Sequence, residues 1–210
     1  VPNNIAPTIE TLDLRGLQVQ REGSEPESPY CKASGELSVE VAKLPLSSLA
    51  KLKVLALDAA PGMFDVVGFR KSLKENTQLE VLCLTAPERE AFAAVGIRPA
   101  ALRVIVKHHL QLTMLMADVY TDAGDSDSKA LIYDATIKLY SSIAKSGSLQ
   151  KVDLRTDMEI DPLDIPPLAK AFENNYVICE FIPFQTQSGR VAAVMLRNRD
   201  LQKRLMNVDF

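Results

Sequence analysis

The chain has 210 residues, 47% of them hydrophobic, with 24 basic and 27 acidic side chains and a net charge of −3. That length fits one domain or one short solenoid with a continuous core, and balanced charge without a long basic stretch argues against a nucleic-acid partner or a polybasic membrane patch. No apolar run approaches the roughly 20 residues that span a bilayer, and the opening VPNNIAPTIETLDL lacks the basic and apolar regions of a secretory signal, so a soluble cytoplasmic protein is expected. The start on Val1 rather than Met is expected of a processed protein or a piece of a longer one.

Ile9, Leu12 and Leu14 open a frame LxxLxL that returns at Leu52, Leu55, Leu57, at Leu79, Leu82, Leu84, and at Leu149, Val152, Leu154. In this frame three apolar side chains turn inward from one short strand, and a connecting arch starts the next; each unit is buried only by its neighbours. After the first frame, GSEPESPYCKASGE is rich in Pro, Ser, Gly and Glu and reads as a loop within an irregular insertion over about 17–44. The clearest unit follows: strand KVLALD, a turn at Pro61 and Gly62, and a helix over about 64–75 with Phe64, Val67, Phe69 and Leu73 on its apolar face. Asn76 and the strand LEVLCL complete it. From Leu57 to Leu84 is 27 residues, within the 20 to 29 of leucine-rich repeats.

Next, ALRVIV (101–106) supplies a strand after a shortened crossover, and Leu110, Leu112, Met114 and Met116 alternate as in a strand with a core role. An irregular insertion is placed at about 107–130, including the acidic loop TDAGDSDSK. A helix from near Lys129 carries Ile132, Ala135, Leu139 and Ile143 on one face. The unit opened by VDLRTD passes Ile160, Leu163 and Ile165 into a helix with Leu168, Ala171 and Phe172, with Pro166 and Pro167 where a first helical turn tolerates them. Asn174 and Asn175 close it, Ile178 and Phe181 fall in the next leucine frame, and Pro183 takes the third place, marking a terminal repeat.

The LxxLxL strand, with a helix ending on Leu73, Asn76 and Leu79, resembles the ribonuclease-inhibitor-like class of leucine-rich repeats. The stretch AFENNYVICEFIPFQTQSGRVAAVMLRNRDLQKR resembles the last repeat and capping helix of the tropomodulin and leiomodin family. It does so through Asn175, Ile178, Phe181, Thr186, Gln187, Gly189, Arg190, Asn198, Asp200, Leu201, Lys203 and Arg204. Ala192, Val194, Met195 and Leu201 supply the apolar face of the cap, placed at about 184–210. The resemblance implies a cytoskeletal, actin-associated setting, while nothing in the 210 residues matches the family's tropomyosin-binding and actin-binding helices.

Chemistry is poorly supported. Cys31, Cys83 and Cys179 form no CxxC and read as reduced packing thiols. His108 and His109, adjacent on an expected strand, point to opposite faces and cannot form one ligand pair. Asp122, Asp125 and Asp127 have the wrong order for a calcium loop. No GxSxG, HExxH, GxxxxGK[ST] or GxGxxG occurs, and Asp161 with Asp164, or Glu88 with Glu90, are ordinary surface carboxylates. No enzyme, metal or cofactor is expected.

The fold expectation is therefore α/β. One leucine-rich-repeat domain over 1–210 forms a short solenoid with a parallel sheet on the concave side, helices on the convex side and a C-terminal capping helix. Residues beside the inward leucines face the concave side: Asp13, Arg15, Asp58, Thr85, Lys151, Asp153 and Arg155, with Ala56 and Cys83 among them. They are the candidate partner-binding row, against the plainer reading that each is a solvated sheet residue. The loop at 20–35, the segment Leu110 to Met116 and the basic end Arg197, Arg199, Lys203, Arg204 compete for that role. The function expected is non-catalytic protein binding, to actin or another cytoskeletal protein. The alternatives are a structural subunit of a large assembly and, behind that, an enzyme or metal protein.

Overall fold

The computed structural model describes residues 10–15, 51–58, 73, 75–85, 97–119, 126–156, 160–182 and 189–206. Most of the expected helix at 64–75, the loop at 20–35, Asp122 and Asp125, Pro183, Thr186, Gln187 and Cys31 lie outside those residues.

Six strands form one sheet: β1 (Thr11–Asp13), β2 (Val54–Asp58), β3 (Val81–Thr85), β4 (Met114–Asp118), β5 (Lys151–Arg155) and β6 (Glu180–Ile182). Every neighbouring pair is parallel, and the order across the sheet is the order in the chain. Parallel neighbours need a crossover between them. The described residues supply helices α1 (Pro99–His108), α2 (Ser126–Ala144) and α3 (Pro166–Glu173), and α4 (Gly189–Met206) follows the last strand. None of these is long and apolar enough to cross a membrane.

The register explains the leucine frame. Leu12, Leu55, Leu82, Leu115, Val152 and Phe181 pair in one row across the sheet, and Leu57, Leu84, Ala117 and Leu154 in a second. Side chains alternate along a strand, so both rows share one face. Apart from partly buried Leu12 they are buried together with Leu102, Ile105 and Val106 of α1, Leu139, Tyr140 and Ile143 of α2, and Leu168 and Phe172 of α3. Phe181 anchors the C-terminal end: the Tyr140 ring meets it edge-on at 5.6 Å and the Phe172 ring lies 4.8 Å away.

Two expectations for the centre of the chain are corrected. ALRVIV is not a strand but lies in α1, entered through Pro99 in its first turn; Leu102, Ile105 and Val106 recur on a helical period and are buried. The strand is β4, inside the stretch expected as an insertion, and its inward residues are Leu115 and Ala117. Met114 and Met116 therefore lie on the opposite face, half-buried, rather than in the leucine core. Leu110 is 80% exposed. The following helix begins at Ser126, and Asp127 sits in its first turn, where helical N–H groups favour an acid. Its buried residues include Leu139 and Ile143 as expected, with Thr136, Tyr140 and Ala144.

With β4 placed, one frame covers four units. Leu73, Val106, Ile143 and Phe172 are buried at the end of each helical segment, and Leu79, Leu112, Leu149 and Ile178 are buried at each entry to a strand. Between them stand Asn76, His109, Ser146 and Asn175. Asn76 donates through Nδ2 to the Leu52 carbonyl at 2.9 Å and accepts from the Gln78 amide. Asn175 donates to the Ala144 and Ser146 carbonyls and accepts from the Val177 and Ile178 amides, so one amide side chain ties adjacent turns together.

The C-terminal helix packs on the last unit: Val191 and Met195 are buried and Val194 packs against the core, while Leu201, expected on the apolar face, is 36% exposed. Asn198, fully buried, donates to the Asn175 and Ile178 carbonyls at 2.9 and 2.6 Å. Arg199 reaches the Cys179 carbonyl, Gln202 that of Val177, and Arg197 those of Glu173 and Asn175.

Candidate functional site

Because residues alternate, the face opposite the leucines is defined by the same register. One row runs Thr11, Val54, Val81, Met114, Lys151, Glu180, and the next Asp13, Ala56, Cys83, Met116, Asp153, Ile182. At the C-terminal ends of the strands Asp58 pairs with Thr85, and Asp118 with Arg155. The face is polar at both sides and apolar in the middle, where the valines, Ala56, Cys83 and the two methionines lie.

At the β1 side, Arg15 holds Asp13 through Nη2 to Oδ2 at 2.6 Å and Nε to Oδ1 at 3.0 Å. This partner lowers the Asp13 pKa and raises that of Arg15. The other guanidinium nitrogen, Nη1, lies 3.4 Å from the Cys83 sulfur, two strands away. At the β5 side, Arg155 donates through Nη2 to Asp118 Oδ2 at 2.9 Å, with Nε 2.6 Å from Oδ1 as an ion pair of poorer alignment. The Asp118 carboxylate is fully buried, so the arginine offsets a desolvation cost that an isolated charge there would carry. Lys151 pairs with Glu180 at 3.0 Å. Burial raises the Asp153 pKa, opposed by Arg155 and Lys151.

All seven residues of the expected row, Asp13, Arg15, Asp58, Thr85, Lys151, Asp153 and Arg155, fall on this one face. They are not equivalent. Asp13 and Arg15 are exposed, Thr85, Lys151, Asp153 and Arg155 are half-buried, and Asp58 is buried. Sequence reasoning missed Asp118 and Glu180, and it gave Met114 and Met116 a core role, with their segment only a competing binding candidate. The alternation of the methionines was visible, but the phase was taken from Leu110 and Leu112 rather than from Leu112 and Leu115.

Of the other candidates, His108 is the exposed last residue of α1, and His109 is buried just beyond it. Among the described residues neither His109 ring nitrogen completes a hydrogen bond, although the ring faces the Leu73 backbone. Among the described residues no group of three or more His, Cys, Asp or Glu is placed to hold a metal ion. In the basic C-terminal cluster, Arg197 also stacks 4.5 Å over the Tyr176 ring and Arg199 approaches Glu180, so both are structural to the cap.

No protein-family model matches the chain, and no curated protein matches it. Its fold is similar to the solved structure of leiomodin-1 actin-binding site 2, a leucine-rich-repeat-type neighbour. The likeness has a TM-score of 0.54 at 13% identity, over 81% of this chain and 92% of that one. It is a likeness of fold: an α/β arrangement with a six-stranded parallel sheet, of the leucine-rich-repeat type.

Proposed function

We propose that this chain is a short leucine-rich-repeat solenoid of the tropomodulin and leiomodin type. It acts as a non-catalytic, cytoplasmic binding module that holds a protein partner on the concave face of its sheet. The observation that carries the reading is the sheet itself: six parallel strands in chain order with the leucines on one face. The opposite face is apolar at its centre and charged at both sides. Apolar centres with polar rims are how protein interfaces are built, and polarizable methionines such as Met114 and Met116 adapt to a partner's shape. The fold likeness to an actin-binding site makes actin the first partner to test.

The test is co-sedimentation with filamentous actin and a binding titration with monomeric actin, using Arg15→Glu and Lys151→Glu. Both residues are about 40% exposed, and each faces a carboxylate across a solvated pair, so reversal spares the fold. Each reversal is expected to weaken binding by about fivefold or more, because rim charges steer and orient a partner. Undiminished binding in both moves the site off this face, and no actin binding by the parent chain removes the actin assignment. Arg155 is unsuitable, since its loss strands the Asp118 carboxylate.

A second reading, a subunit of a stable assembly, is favoured by Leu205 and Met206 at the end of α4, 72% and 81% exposed. A monomeric, soluble chain in light scattering at high concentration tells against it.

A further inference from the structure

On the helical side, away from the face treated above, α1 and α2 pack side by side and enclose a groove of about 360 Å3. Arg103 and Lys107 lie one turn apart on α1, and Lys138, Ser141 and Lys145 lie along α2 and just past its end; all five line the groove, and among the described residues no carboxylate does. Lys138 is neutralised by Asp134 at 2.5 Å. Arg103, Lys107 and Lys145 make no ion pair among the described residues. The Nε of Arg103 is buried without an acceptor. Guanidinium donors that lose water are nearly always paired, and Arg103, which lines the groove beside lysines and hydroxyls, has no anionic partner among the described residues. The helix ends do not account for this: a C-terminus draws cations to its last turn, which explains Lys107 and Lys145 but not Arg103 or Lys138, farther inside.

We propose that the α1–α2 groove is a binding site for a multiply phosphorylated small ligand of the inositol-polyphosphate class. The planar fork of Arg103 suits one phosphate bidentately, Lys107 and Lys145 supply point charges for others, and Ser141 offers a hydroxyl donor. The volume lies at the small end of ligand sites, about 300–1,000 Å3, and suits a phosphorylated ring rather than an extended acidic peptide. The headgroup of a polyphosphoinositide carries the same chemistry, so the test separates the two sources. The site is independent of the sheet-face reading, and either can fail alone.

The experiment is calorimetric titration of the chain with myo-inositol hexakisphosphate at near-physiological salt. Beside it runs flotation with phosphatidylcholine vesicles with and without phosphatidylinositol 4,5-bisphosphate. The variants are Arg103→Gln, Lys145→Glu and Gly147→Glu, with Lys203→Glu on α4 as an off-site reversal. A Cβ at Gly147 meets nothing within 4 Å, so that variant brings a carboxylate to the rim without disturbing packing, even if Arg103→Gln perturbs the fold. The three groove variants are expected to weaken binding about tenfold, and Lys203→Glu less than twofold, since screened distant charges contribute little. Soluble binding with that pattern identifies a free ligand, and vesicle binding alone with the same pattern identifies the lipid source. Absence of both, or an equal loss in Lys203→Glu, overturns the proposal.

Discussion

The turns at Asn175 and His109 occupy the same place in two units of one frame and are solved differently. Asn175 satisfies two carbonyls of the preceding turn and two amides of its own. His109 is 1% exposed and completes no side-chain hydrogen bond, leaving its turn to the backbone: its amide donates to Ile105, and its carbonyl accepts from Leu112. A compact amide that both donates and accepts fits a tight turn between stacked units, while an imidazole must present its N–H along the ring plane. The difference teaches that stacking at this frame does not require asparagine, although asparagine adds connections that leave no polar group stranded.

Three changes sharpen this contrast. Asn175→Ala has the largest expected effect, a loss of about 2–4 kcal/mol in urea unfolding, because several buried backbone groups lose their partner at once. A cost under about 1 kcal/mol shows the backbone alone holds that turn, as it does at His109. His109→Asn is expected to gain about 1 kcal/mol by giving the central turn the missing bonds. The gain should grow in acid. Burial lowers the His109 pKa below the ordinary 6.5, with His108 adding to the effect and the Leu73 backbone opposing it. The unfolded chain therefore takes up the proton first; stability is complete above about pH 6.5 and falls as pH drops through that value. The parent should lose stability between pH 7 and 5 more steeply than His109→Asn, and parallel curves would show that this imidazole does not couple to folding. The smallest change is Ser146→Ala, about 0.5–1 kcal/mol. Its hydroxyl accepts from the Ser148 and Leu149 amides at 3.3 and 3.2 Å and does half of what Asn175 does.

The same contrast explains what could be read from sequence. Units with Leu73, Asn76, Leu79 or Phe172, Asn175, Ile178 announce themselves, because asparagine and two large apolar residues keep their spacing. The unit with Val106, His109, Leu112, Leu115 and Ala117 keeps the spacing but changes the chemistry at two of five places: histidine for asparagine and alanine for the last leucine. A β-branched run, RVIV, then competed with the true strand. Arg98 and Pro99 before it were the overlooked signal, since an extended residue followed by proline opens a helix readily. The row opposite the leucines was legible wherever the frame was legible. The groove between α1 and α2 was not, since its cations come from segments distant in sequence that only the stacking of helices brings together.

The side chains of α4 have a consequence for how this molecule meets others. Asn198, Arg199 and Gln202 occupy the carbonyls of Val177, Ile178 and Cys179 on the approach to β6. A peptide that recognises proteins by lending its own backbone finds those three acceptors already taken there. At those three positions recognition goes through the side chains of α4, which makes it selective by shape and charge rather than by main-chain geometry that every protein shares.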